Sequence, residues 1–283
     1  DAFNQARFQF MPFFLTDVDK QHLGADSSLF KKCFTNISVE SGDQRETFSD
    51  IAEAWNSLRC GTSDAASKPE CLVLVEAVAG SGKTTLVKWS ALNPQLFHNH
   101  EGKPMRAVVV VDLLPLSQTM KNHTADEWLE CMWNIESMVH PDTGDKFVAS
   151  PSEAAVARQA LEAHPDEVLY VFDGFDEVQF TEVESFKLLI SWLQDPTKLP
   201  PMIRNAIVTS RPERQKTMLI NTGGVSRPVD LFQEGVFTRM ALQRWSRQQC
   251  KDYIAKFPLL DIVRNKANEV LAMRGFRQFD RLP

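Results

Sequence analysis

The stretch Cys71-Leu-Val-Leu-Val75, followed by Ala77-Val-Ala-Gly80-Ser-Gly82-Lys83-Thr84, decides the fold. The first part is a short apolar run bounded by turn residues, the signature of a buried strand. Residues Thr84 to Ala91 read as a helix that Pro94 keeps short. Between strand and helix lie small residues whose backbone N–H groups can converge on a phosphate at a helix N-terminus. The pattern G-x-x-x-x-G-K-[ST] is matched except at its first position, where Ala77 replaces glycine. In that pattern Lys83 reaches the outer phosphates and Thr84 offers its hydroxyl to Mg²⁺. The candidate nucleotide-binding residues are Ala79, Gly80, Ser81, Gly82, Lys83, Thr84 and Thr85. If position 77 needs φ > 0, alanine there is strained and affinity suffers while the fold survives.

Outward from this turn the same alternation repeats. Ala107 to Leu114, Val168 to Phe172, Ala206 to Thr209 and Val236 to Leu242 read as four further strands. Capping boxes at Thr124-Ala-Asp-Glu127 and Ser150-Pro-Ser-Glu153 predict helices, the first running toward Met138. Val183 to Leu193 is amphipathic, and Ser246-Arg-Gln-Gln249 caps a helix ending near Phe257. Continuous apolar strands alternating with helices predict an α/β fold of three layers around a mostly parallel five-stranded sheet. It occupies residues 70–242, with a small helical subdomain at 243–283. Residues 1–69 form an N-terminal extension and linker, with one predicted helix from Ser49 to Leu58 and a polar linker from Gly61 to Pro69. The aromatics Phe8, Phe10, Phe13 and Phe14 favour packing on the core over a separate binding module.

The third strand runs into Asp173-Gly174-Phe175-Asp176-Glu177. Three carboxylates at one strand end repel unless a cation or polar ligand compensates them. Asp173 suits the acid that organises Mg²⁺, together with Thr84. Glu177 or Asp176 is placed to polarise the attacking water. The fourth strand ends in Thr209-Ser-Arg211-Pro212, where Arg211 can report on the γ-phosphate.

Composition bounds the remaining classes. The chain has 283 residues, 43% hydrophobic and 24% charged, so a core without staples is ample. The net charge of −6 argues against direct nucleic-acid binding. No apolar run approaches the ~18–20 residues that cross a bilayer. Five scattered cysteines without a C-x-x-C pair predict reduced, structural thiols and a cytoplasmic protein.

Gly80-Ser-Gly-Lys-Thr-Thr-Leu86, Phe172-Asp-Gly-Phe-Asp-Glu-Val178 and Thr209-Ser-Arg-Pro212 together resemble NACHT domains. These are the nucleotide-switch modules of STAND-class ATPases, among them animal NOD-like receptors and many fungal and bacterial defence proteins. The resemblance covers about residues 70–283. It implies a phosphate-loop NTPase with sheet order 5-1-4-3-2, Asp173 as the Mg²⁺ acid, Glu177 as catalytic base and Arg211 as first sensor. It places Pro283 where the family has a proline packed on adenine. It also implies a core within a longer receptor, with an effector domain upstream and a ligand sensor downstream.

The expected function is therefore an ATP/ADP-dependent switch that hydrolyses ATP slowly with Mg²⁺ and self-assembles in one nucleotide state. Two readings compete. A metabolic phosphotransferase needs an acceptor-binding acid and an arginine-rich lid, which Arg211, Arg214 and Lys216 imitate. A nucleotide-binding scaffold without turnover is favoured only by Ala77. Guanine selectivity is unsupported, since Asn265-Lys266-Ala-Asn268 lacks the aspartate of a base-reading motif.

Overall fold

Cys71–Glu76, Ala107–Asp112 and Val168–Asp173 each bury their first five residues and are half-buried at the sixth. Asn205–Ser210 is buried throughout. Strands buried on both faces belong to a parallel sheet covered from both sides. The acidic sixth residues of the first three therefore mark one edge of the sheet, the carboxyl end, where open α/β folds bind ligands.

A computed structural model of the protein describes residues 36–41, 46–60, 71–78, 81–114, 138–139, 146–147, 159, 161–177, 202–212, 219–222, 225–228 and 237–256. In chain order the elements are β1 (Val39–Ser41), β2 (Thr47–Phe48), α1 (Ile51–Cys60), β3 (Cys71–Glu76), α2 (Lys83–Leu92) and β4 (Ala107–Asp112). There follow β5 (Met138–Val139), β6 (Lys146–Phe147), β7 (Val168–Asp173), β8 (Asn205–Ser210), β9 (Leu219–Thr222), β10 (Val225–Pro228), β11 (Thr238–Leu242) and α3 (Arg247–Lys256). Single 3-10 turns span Pro94–Leu96, Pro165–Glu167 and Phe175–Glu177.

The main sheet has seven strands in the order β2-β1-β11-β3-β8-β7-β4. Its count and full order thus differ from the five-stranded expectation. β11, β3, β8, β7 and β4 are mutually parallel neighbours, and β1 and β2 extend the β11 side as antiparallel strands. The pairs β5–β6 and β9–β10 are small hairpins outside this sheet. The helix expected to run toward Met138 is not continuous to that residue, which sits in β5. The rest of that helix, the one at Ser150, Val183 to Leu193, and everything beyond Lys256 lie outside the described residues.

Ile37, Val39, Ile51, Ala52, Ala54 and Trp55 are part of the core. Asp50 and Glu53 cap α1: Glu53 N–H donates to Asp50 Oδ1 (2.8 Å), and Ser49 donates N–H and Oγ–H to Glu53 Oε2 (2.7 Å each). Trp55 is fully buried and its indole N–H donates to the His98 carbonyl (2.8 Å). Asn56 exchanges two hydrogen bonds with the same segment, to Leu96 O and from His98 N–H. Arg59 stacks over the Trp55 ring and donates to Asn205 Oδ1 at the start of β8. Beside it, burial pushes the Cys71 thiol up to about 11, which makes this a structural thiol.

Candidate nucleotide-binding site

The loop leaving β3 is anchored at both ends. Ala77 N–H donates to Ser210 O (3.0 Å), and the Ala77 methyl is buried in the main hydrophobic cluster. Ser81 closes a turn onto Val78 O through its hydroxyl (2.7 Å) and its N–H (3.2 Å). Gly82 caps α2 in the left-handed region at φ 94°. A Cβ there would also lie 2.8 Å from Ile37 Cδ1, so glycine is demanded by backbone and by packing. Lys83 Nζ folds over the loop and donates to Ala77 O (3.0 Å). Thr84 and Thr85 are exposed in the first turn of α2. Ala79, Gly80 and Pro283 lie outside the described residues.

Helix α2 opens against the usual rules. Its cap offers no side-chain hydrogen bond, its first turn holds no acid, and Lys83 stands at its positive end. The first N–H groups of a helix lack intrahelical partners, and a cation there opposes the helix dipole. An anion at this terminus satisfies both, which is the arrangement of a phosphate site. Ala77→Gly deletes a buried methyl and is expected to lower stability by about 1 kcal/mol in thermal or urea unfolding. Nucleotide affinity should be unchanged; tighter binding by calorimetry would show instead that Ala77 strains the loop.

The acids gather at neighbouring strand tips. Thr209 on β8 donates its hydroxyl to Asp173 Oδ1 and accepts Gly174 N–H (3.0 Å). Gly174, at φ 78°, turns the chain into Phe175–Glu177, where Glu177 N–H donates to Gly174 O (2.8 Å). Burial raises the Asp173 carboxyl above its ordinary value, against the Thr209 hydrogen bond and the Lys83 charge, which lower it. Lys83 and Asp173, distant in sequence, therefore act on each other. Glu177 is exposed and reaches back along the Gly174 turn. Asp176 is buried, and its Oδ2 meets Arg211 Nε at 2.7 Å.

Asp112 is a member of this group that sequence reading missed. It lies opposite Asp173 in the β4–β7 register. Burial pushes its carboxyl up to about 6; the Leu114 N–H bond opposes this, and the Asp173 and Glu177 charges add to it. An acid whose folded pKa is raised is stabilising when protonated, so its contribution is lost as pH climbs from about 4 through about 6. Asp112→Asn keeps the Oδ1 acceptor for Leu114 N–H. In nucleotide-free protein it should raise the thermal midpoint at about pH 7.5, with a gain that shrinks on acidification. A constant offset across pH would show that charge is not the cause.

The residues fit Mg²⁺. Magnesium takes oxygen ligands, with one or two carboxylates supplemented by phosphate and water. Thr84 brings an exposed hydroxyl and Asp173 a carboxylate that lies opposite Asp112 in the sheet and feels the like charge of Asp176. Among the described residues no three His, Cys, Asp or Glu side chains form a self-sufficient metal cage.

A parallel sheet with a glycine-capped, lysine-bearing helix after one strand and an aspartate on another defines a phosphate-loop nucleoside triphosphatase. The family model for the NACHT domain matches residues 71–257, well over half of the chain, and the chain belongs to that family. NACHT domains are nucleotide-binding NTPases of the STAND class, generally found in signalling or defence. No curated protein matches the chain in a sequence comparison.

Proposed function

We infer that the protein is an ATP/ADP-dependent molecular switch of a signalling or defence receptor, with slow ATP hydrolysis that resets it. The observation that carries this reading is the N-terminus of α2, which has a glycine cap, no first-turn acid and Lys83. An anion on such a terminus satisfies its free N–H groups and offsets the opposed charge of Lys83, so bound nucleotide stabilises it. In this reading the first N–H groups of α2 and Lys83 hold the β- and γ-phosphates. Thr84 and Asp173 hold Mg²⁺, which neutralises developing phosphate charge when bound. Glu177, exposed at the strand tip, orients water and accepts its proton. Arg211 distinguishes triphosphate from diphosphate. Residues 70–242 act as the NTPase unit and 243–283 as the opening of a helical subdomain. Self-assembly in the ATP state and a cytoplasmic location complete the proposal. Among the described residues no helix is long and apolar enough to cross a membrane.

A scaffold that binds nucleotide without turnover would share the phosphate loop and differ only in lacking hydrolysis. Mass spectrometry of co-purified nucleotide, ADP and ATP binding by calorimetry, and single-turnover hydrolysis at saturating protein test the reading. Bound adenine nucleotide with slow, Mg²⁺-dependent turnover supports it. Binding with no turnover leaves the scaffold, and no binding of either nucleotide removes both.

A further inference from the structure

We propose that Asp176 is a positioning residue that aims Arg211 at the γ-phosphate. This rests on the nucleotide-switch reading above and assigns Asp176 a role other than water activation. Its side chain is only 2% exposed, whereas that of Arg211 is 46% exposed. A carboxylate this deep must be compensated, and the Arg211 Nε at 2.7 Å from Oδ2 provides that compensation. A buried carboxylate already engaged by a guanidinium is poorly placed to take a proton from water. Glu177, the next residue, is exposed and better placed.

The geometry of the pair suits a device for aiming. A guanidinium is a rigid planar fork with five donors. Gripping it at Nε restrains the half-exposed side chain and leaves the donors of the two Nη groups for a further acceptor. Both ends of the pair are themselves fixed at the site. Arg211 directly follows Ser210, whose carbonyl accepts the N–H of Ala77, the first residue of the phosphate loop. Asp176 sits in the 3-10 turn that Gly174 starts and that Glu177 N–H closes onto Gly174 O. The Thr209 hydroxyl ties β8 to the same turn by bonding Asp173 and Gly174. The tip carrying the phosphate sensor and the tip carrying the metal acid are thus held as one unit. Without Asp176, a half-exposed arginine would sample many rotamers, and ordering it on the γ-phosphate would cost affinity for ATP alone.

The test is the ratio of affinities for a non-hydrolysable ATP analogue and for ADP, both with Mg²⁺, measured by calorimetry on the whole chain. Arg211→Ala should lower analogue affinity about 10- to 100-fold, the scale of one charge-assisted hydrogen bond, and leave ADP unchanged. Asp176→Asn, which is nearly isosteric, should lower analogue affinity several-fold, again with ADP unchanged. The double variant should match Arg211→Ala alone, because Asp176 acts only through the arginine. Unchanged ADP binding doubles as evidence that each variant is folded. Arg211→Lys keeps the charge but has no fork to grip, and it should also lose discrimination. Should Asp176→Asn fail to fold, this variant still decides.

The proposal falls if Asp176→Asn keeps the parental ratio, if the two losses simply add, or if Arg211→Lys discriminates like the parent. A parent that binds neither nucleotide overturns the switch reading itself. A parental ratio in Arg211→Ala, with both nucleotides bound, removes Arg211 as the sensor and Asp176 with it.

Discussion

Lys83→Ala is expected to abolish binding of both ATP and ADP while the protein stays folded. The ammonium donates one part-buried hydrogen bond, to Ala77 O, and losing a single bond of that kind costs about 1–3 kcal/mol, less than the stability of a typical domain. At the N-terminus of α2 a lysine opposes the helix dipole, so its removal offsets part of that cost in the empty protein. In the nucleotide complex the balance reverses, because the loop has no other described cation beside the phosphates. Losing that charge in a partly desolvated site should weaken binding by about 100-fold or more. ADP suffers with ATP, since the loop cradles the β-phosphate. Asp173 also loses the cation that lowers its pKa, which further disfavours the ionised form that a metal needs. Thermal shift with each nucleotide and Mg²⁺ provides the check. Equal stabilisation of variant and parent would remove Lys83 from the site.

Glu177→Gln should bind ATP about as well as the parent and hydrolyse it ~10²–10⁴-fold more slowly, the usual contribution of a general base. Glutamine keeps the size of the side chain and its place along the Gly174 turn, and the hydrogen bond that shapes the turn comes from the backbone N–H of Glu177. The fold is therefore indifferent to the change while proton acceptance is lost. The ATP-bound form should accumulate, and the switch reading expects that form to self-associate. Single-turnover hydrolysis decides, and parental rates in the variant would move the role away from Glu177.

The parallel part of the fold was legible because it is written in local signals. Val108 to Val111, Leu169 to Phe172 and Leu72 to Val75 are continuous apolar runs, and the glycines, Lys83 and Thr84 stand together at the end of one of them. The helices α1, α2 and α3 fall within two residues of the expected limits for a similar reason: caps and apolar spacing lie within each segment. What escaped depends on partners far away in the chain. β1 and β2 are three and two residues long, too short to show a period; β1 is a strand because β11 supplies its partner, and β2 because β1 does. Asp112 looks like any polar residue ending a strand until the parallel register sets it against Asp173. The Asp176–Arg211 pair is equally invisible, since nothing near either residue names the other. Ala77 reads as a defect in a motif but sits in the structure as a core residue.

β1 has a practical consequence for anyone who cuts this protein at the edge of its recognisable family region. A fragment starting at residue 71 would keep every phosphate-loop residue and still lose the strand that closes the sheet. The backbone donors and acceptors of β11 would be laid open, an invitation to edge-to-edge aggregation. Ile37 would no longer lie against Gly82, and α3 would lose the acceptors at Asn36 O and Ser38 Oγ that hold its Gln249. Insolubility of such a truncation would report a torn sheet, and recovery on restoring residues 36–60 would locate the tear.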